Sequence, residues 1–295
     1  MEQGSASEKG NSRKKRILII TVVTIACLAI CLIAFAAVRG SKVTGVSTLV
    51  EANVKAQSKV KSYHMDGDVN MYISLDYDAL ESLQDKLDLR LPVKMTLSTD
   101  AGAETAHVIT DASISILGKT VPVQKSELYL DTKNLAVYSR TGESTQWKRS
   151  ENYADQIGVK ELVGGIAIAG KTVLENASFN ETDDFYTLTM PAEKTGNLIQ
   201  SLHFLDRVDL GIADVKDITV EGGQIIYNVD KSTLLVSSVE LKDVNCHGKG
   251  TYNEASLDLK FLINGTFKFS RYDELEESEY AIPPEVEETQ AKTEA

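Results

Sequence analysis

The sequence predicts an α+β fold: a long, curled antiparallel β-sheet, a half-barrel, covered by a few amphipathic helices and preceded by one transmembrane helix. Three observations predict it. From His64 to Asp76 the side chains alternate strictly between apolar and polar. The same alternation returns from Ser256 to Ser270. Residues Ile17 to Val38 carry no charged side chain and follow directly on Arg13, Lys14, Lys15 and Arg16.

The apolar run comes first in the chain. At about 1.5 Å per helical residue it extends roughly 33 Å, enough to cross a hydrocarbon core of about 30 Å. A basic cluster stays on the cytoplasmic side, so the rest of the chain is expected outside. This gives a basic cytoplasmic tail at 1–16, a signal-anchor helix at 17–39, an extracellular domain at 42–286 and an acidic tail at 287–295. Two alternatives stay open: cleavage near Ala34-Phe35-Ala36, and lipid modification at Cys27. The run is longer than the usual apolar region of a cleaved signal, which favours the anchor.

Composition narrows the function. The net charge is −12, and the stretch after Tyr272 is crowded with Asp and Glu. An acidic surface disfavours nucleic acid, whose phosphates attract Lys and Arg. Of three cysteines, Cys27 and Cys31 lie in the apolar run, so the external part holds only Cys246 and forms no internal disulfide. Exported eukaryotic domains of this size usually carry several bridges; their absence fits a bacterium with a single membrane.

After the apolar run, Val43, Val46, Val50, Val54 and Gln57 recur at helical spacing. The period then changes to two. Met65, Gly67, Val69, Met71, Ile73 and Leu75 face one way; His64, Asp66, Asp68, Asn70, Tyr72, Ser74 and Asp76 face the other. Near the far end, Leu257, Leu259, Phe261, Ile263, Gly265, Phe267 and Phe269 form a second apolar row. One wet and one greasy face per strand is the pattern of antiparallel sheet. Further strands are predicted at Val93–Thr99, Thr105–Leu117, Val121–Leu130, Asn134–Ser139, Thr145–Arg149, Phe185–Met190, Gly223–Val229 and Thr233–Val244. Turn residues separate them, among them Asp100-Ala101-Gly102, Gly222-Gly223 and Asp230-Lys231-Ser232. Helices are predicted at Ala79–Asp88, about Tyr153–Ile168 and Ala192–His203. From Ile282-Pro283-Pro284 onward the chain is acidic and aperiodic, the pattern of a solvated tail.

The chemical motifs are weak. Gly165 to Thr172 fits the spacing G-x-x-x-x-G-K-[ST], but a predicted helix precedes it where a buried parallel strand is required. Asp66, Asp68 and Asn70 resemble the start of a calcium loop, but Met71 stands where a glycine is needed and Tyr77 where a bidentate Glu belongs. His64, His107, His203 and His247 are scattered; Cys246 and His247 are adjacent rather than at ligand spacing. Asp183-Asp184 is a neighbouring pair, and paired-carboxylate chemistry needs the two acids opposed across a cleft. No metal, cofactor or enzyme activity is expected.

The layout resembles a known family. A helix leads into Ser62-Tyr63-His64-Met65. A meander follows with Tyr129-Leu130-Asp131-Thr132-Lys133, then Tyr138 and Trp147. Val229 to Thr233 introduces the late strands, and Ile282-Pro283-Pro284-Glu285-Val286 closes the domain. This is similar to the LolA/LppX-like lipoprotein fold, especially to small Gram-positive exported lipoproteins. The resemblance implies a half-barrel over helices that holds acyl chains or lipidated proteins, and it carries no catalytic residues. On this chain the expected pocket lining is Met65, Val69, Met71, Ile73 and Leu75 with Leu257, Leu259, Phe261, Ile263 and Phe267. Methionines suit an adaptable wall. The expected function is a membrane-anchored, non-enzymatic domain that binds a lipid or other hydrophobic ligand at the cell envelope. The alternative is an envelope interaction module with a filled core and a protein partner. The pattern is the same for both.

Overall fold

A computed structural model describes residues 43–76, 87–116, 119–131, 133–134, 136–142, 144–151, 175–194, 214–252 and 255–286. Helix α1 spans Val46–Gln57. The strands are β1 (Ser62–Asp76), β2 (Leu87–Asp100), β3 (Thr105–Ile116), β4 (Lys119–Asp131), β5 (Ala136–Thr141), β6 (Lys148–Glu151), β7 (Ser178–Glu181), β8 (Phe185–Pro191), β9 (Asp214–Asp230), β10 (Val236–Tyr252) and β11 (Ala255–Ser270). All belong to one sheet in the order β6-β5-β4-β3-β2-β1-β11-β10-β9-β8-β7. The two rows with the clearest alternation, β1 and β11, pair antiparallel at the centre, with Met65 opposite Phe269 and Ile73 opposite Phe261.

The helix-covered α+β class is therefore corrected. Among the described residues the architecture is one eleven-stranded antiparallel sheet with α1, two single 3-10 turns, Ala192–Lys194 and Glu277–Glu279, and short helical pieces at 175–176 and 284–286. The helix predicted at Ala79–Asp88 ends in strand: Leu87 and Asp88 open β2. Leu80, Leu83 and Leu87 suggested a helical period, but Leu87, Leu89, Leu91, Val93, Met95 and Leu97 continue it at a period of two. Of Ala192–His203, the first three residues form a 3-10 turn. The remainder of both segments and Tyr153–Ile168 lie outside the described residues. So does the predicted membrane-spanning helix at 17–39; among the described residues no helix is long and apolar enough to cross a membrane.

The strand predicted at Val93–Thr99 lies within β2, and Pro92 stands just before it in the part not predicted as strand. Proline gives no N–H to a ladder and is unusual in an inner strand. Here the β2–β3 register runs from Arg90 opposite Ser115 to Val93 opposite Ala112, with no partners between, so Pro92 occupies an interruption in that ladder. β9 differs more. Gly222-Gly223, expected as a turn, lies inside a continuous seventeen-residue strand. Register shifts at Lys242/Asn245 and Leu241/Val244 mark bulges facing it, with Asp243 at φ 51° and Gly223 at φ +105°. A bulge adds a residue and increases local twist without ending the strand.

The core lies on one face, the inner face. One contiguous cluster includes Met65, Val69, Val93, Met95, Val108, Leu128, Leu188, Ile225, Val239, Phe261 and Phe267. α1 presses Leu49 into it, flanked by Val46 and Val50, while Asn53 Nδ2 donates to the Leu234 carbonyl. Thr48 Oγ1 receives the Gly45 and Thr44 amides at the start of the helix. This is the serine/threonine solution to unpaired N-terminal amides, displaced into the first turn.

The β9–β10 turn is held by Asp230, whose carboxylate accepts from the Ser232 and Thr233 amides and from both hydroxyls. These bonds, the Ser232 hydroxyl first, pull the Asp230 carboxyl below its usual range. A depressed folded value means stabilisation that is complete above the ordinary carboxylate range, near pH 4, and is lost as pH falls through the lower folded value. Asp230→Asn keeps the shape but removes the charge. It is expected to destabilise by about 1 kcal/mol at pH 7 and to lose that difference in strong acid, checked by urea unfolding across pH.

Beyond β11 the chain does not enter solvent at Ile282. Residues Arg271 to Val286 form a strap on the outer face. Asp273 Oδ1 accepts the Lys61 and Ser62 amides, and Arg271 pairs with Glu279. That guanidinium holds the Glu279 carboxyl down at about 2. Val286 is 1% exposed and joins Tyr129, Ala136 and Tyr138 in a second cluster, with Ile282 and Trp147 against it. Pairing of two apolar residues with an aromatic surface outweighs the acidic composition around them. Trp147 is the sole tryptophan of the chain. Val286→Asp is expected to loosen the strap and shift Trp147 emission to the red, leaving the far-UV sheet signal unchanged. An unshifted spectrum would show that the cluster does not depend on the strap.

Candidate functional site

The inner face is built by β1 and β11 at its centre. Of the ten expected pocket residues, Met65, Val69, Met71, Ile73, Leu259, Phe261, Ile263 and Phe267 are between 0% and 7% exposed and lie in the one apolar cluster. Leu75 and Leu257 belong to the backbone of β1 and β11, with Leu75 opposite Leu259 and Leu257 opposite Gly250; their side chains are outside the description. The face is tightly fitted at its middle. A Cβ on Gly67 would stand 2.6 Å from Met95 Cγ and 3.0 Å from Phe267 Cδ1, so the missing side chain makes room for both. Met65, Met71, Met95 and Met190 all bury here, giving the wall four unbranched, deformable side chains.

Polarity is not uniform over this face. On β3 and β4, Thr110 and Ser126 are opposite each other and 0% and 1% exposed. Ser126 Oγ has no hydrogen-bond partner among the described residues. Sequence reading passed over both, because a hydroxyl in an alternating strand gives no signal of which face it takes until the register is known.

The outer face carries a groove of about 870 Å3 across β4, β3, β2, β1, β11 and β10. Asp66, Asp68 and Asn70, read as a wet strand face rather than a calcium loop, form its centre. Lys94, Asp111, Lys125, Glu240, Lys242 and Lys268 surround them. Register sets Asp66 opposite Lys268 and Asp68 opposite Lys94. Among the described residues no group of three His, Cys, Asp or Glu side chains is placed to hold a metal ion.

The remaining motif residues do not converge on a catalytic arrangement among the described residues. Cys246 is buried with the core, and burial pushes its thiol up to about 12, far from a nucleophilic thiolate at neutral pH. His247 follows it in the strand, so it faces the opposite way, and its Nε2 lies 3.5 Å from Asp258. His64 contacts Ser98 and Asp66. His107 stacks on Tyr129 at 4.3 Å and bonds Glu127, which also pairs with Arg140. Arg140 in turn lies 4.7 Å from the Trp147 ring centre. Asp183 and Asp184 sit in an exposed turn before β8. The segment Gly165–Thr172 and His203 lie outside the described residues.

Several short motifs that carried the family resemblance meet in one place. Tyr129, Tyr138, Trp147, Ile282 and Val286 are spread over more than 150 residues, yet form the second cluster under the strap.

No protein-family model matches the chain, and no curated protein matches it. Among solved structures, a protein assigned as AttH from Nitrosomonas europaea is 7% identical with a TM-score of 0.24; the match covers 72% of this chain and 52% of that one. The chain thus spans about half the length of that protein. A beta-barrel-like protein of a domain of unknown function from Brucella abortus is 9% identical with a TM-score of 0.24, covering 72% of this chain and all of that one. The expected LolA/LppX-like membership has no matching family model behind it. Likeness at this level assigns no activity, and the functional reading rests on the chain's own residues.

Proposed function

We propose that the chain is a non-enzymatic binding domain of the cell envelope that takes a lipid or another hydrophobic ligand on its inner face. One observation carries the reading: the inner face carries one contiguous apolar cluster from β5 to β8, interrupted by the buried hydroxyls of Thr110 and Ser126 and walled at its centre by Met65, Met71 and Met95 rather than by stiff β-branched side chains alone. Hydrophobic ligand sites are apolar with few polar anchors, and methionine walls repack around different chains. The envelope location, with the sheet outside, is part of the proposal and rests on the sequence of the first forty residues. The domain from residue 43 onward, purified without detergent, should yield lipid in organic extracts by mass spectrometry and should take up fluorescent fatty acids. Clean extracts together with no uptake would sink the reading.

The outer groove favours a second reading, an interaction module with a protein partner. Its four lysines make no ion pair within 4 Å among the described residues, although carboxylates stand across the strands from them. A photocrosslinker at Lys94 that captured one envelope protein, from a chain whose extracts are lipid-free, would favour this alternative.

A further inference from the structure

We infer that the inner face selects amphiphiles whose head group is uncharged and hydrogen-bonding, and that Ser126 holds that head beside Thr110 and Thr141. The inference rests on the hydrophobic-ligand reading above and adds the chemistry of the ligand's polar end. Its ground is one row of residues running across the sheet on the inner face. Val239 is opposite Phe267, Phe267 opposite Gly67, and Gly67 opposite Met95. Met95 is opposite Thr110, Thr110 opposite Ser126, and Ser126 opposite Thr141. Four strand spacings separate Phe267 from Ser126, roughly 19 Å, the scale of a long acyl chain. The row is greasy at the centre of the sheet and ends in three hydroxyls on β3, β4 and β5.

Ser126 is 1% exposed and its Oγ is unmatched, on a strand whose inner-face neighbour Leu128 is buried and opposite buried Val108. Burying a hydroxyl without a partner is unfavourable, and native interiors rarely leave one so. A ligand carbonyl or hydroxyl lying along the row would supply the partner. A carboxylate would not be favoured, because a charge buried beside Leu128 and Val108 loses hydration that a hydroxyl pair does not replace. The site therefore fits an ester, amide or alcohol head on a single chain, such as a monoacylglycerol.

The test uses the full chain in phosphatidylcholine nanodiscs and three diazirine photoprobes of equal chain length: a plain hydrocarbon, a monoacylglycerol and a fatty acid. Crosslinked peptides are located by mass spectrometry in the parent and in the Ser126→Ala and Ser126→Val variants. Monoacylglycerol is expected to label the inner face most strongly, and Ser126→Val to reduce that labelling about 5- to 10-fold while hydrocarbon labelling stays constant. Ser126→Ala should give the same ranking and serves if valine disturbs the sheet, which Trp147 fluorescence reports. If hydrocarbon labels the face but the three probes label it equally, or both variants label as the parent does, the head-group inference is overturned and the ligand reading stands. If no probe labels the inner face, the ligand reading itself fails, and this inference with it.

Discussion

Gly223→Ala is expected to destabilise the sheet by about 2–5 kcal/mol, while Gly222→Ala beside it stays within about 0.5 kcal/mol. The difference lies in what each new methyl group would meet. Gly223 has φ +105°, a conformation that L side chains rarely adopt, and its Cβ would lie 2.4 Å from the Asp243 carbonyl oxygen and 2.5 Å from Val244 Cα. Those are backbone atoms, so no side-chain rotation relieves the overlap. Asp243, at φ 51°, is the bulged residue on the facing strand, and its amide is fixed by the Asn264 side chain. Both register shifts fall on Asp243 of β10, so this bulge is held between Gly223 of β9 and Asn264 of β11. A Cβ on Gly222 meets nothing within 4 Å. Urea unfolding of both variants checks this: the Gly223→Ala midpoint should fall with the slope unchanged. Equal effects at the two positions would show that the close approach of Gly223 to the β10 bulge does not set the cost.

That bulge also shows where sequence stopped being informative. Strict alternation made β1 and β11 legible, and their central pairing follows from burying both apolar rows on one side. Two adjacent glycines have the same sequence signature in a turn and in a bulge; which one forms depends on a facing strand 20 residues away. The start of β2 failed for a related reason, since Leu80, Leu83 and Leu87 satisfy a helical period until Leu89 and Leu91 are counted. β7 and the first half of β9 escaped because Ser178–Glu181 and Asp214–Gly222 lack a long apolar alternation. The acidic end was misjudged at Ile282 because net charge describes solvation on average, whereas Ile282 and Val286 act locally against Tyr129 and Tyr138. The apolar stripe was legible as a stripe. Its hydroxyls were not, because Thr110 and Ser126 acquire a face only once the register sets Thr110 across from Met95 and Ser126 across from Thr110.

Phe267→Ala addresses the same face from its centre and is expected to cost about 3–5 kcal/mol, the range for truncating a buried aromatic side chain. Phe267 is 0% exposed and fills the room left by Gly67, against which its ring packs. Its removal opens a hole where the rows of β1, β2 and β11 meet, and Gly67 has no side chain with which to close it. Tyr72, 41% exposed on the outer face with Arg90 at 5.4 Å from its ring, is the matched control; Tyr72→Ala should cost less than about 1 kcal/mol. The measured size separates the two states the alternating pattern left open. A dry core relaxes little, so the full loss appears in urea unfolding and a long-chain ligand, too large for the new hole, restores nothing. A deformable wall lets Met65, Met71 and Met95 fold into the vacancy, so the loss falls well below the range and a long-chain hydrocarbon ligand raises the midpoint with the logarithm of its concentration above Kd. A full loss with no rescue by a long-chain ligand would leave the inner face as packing alone.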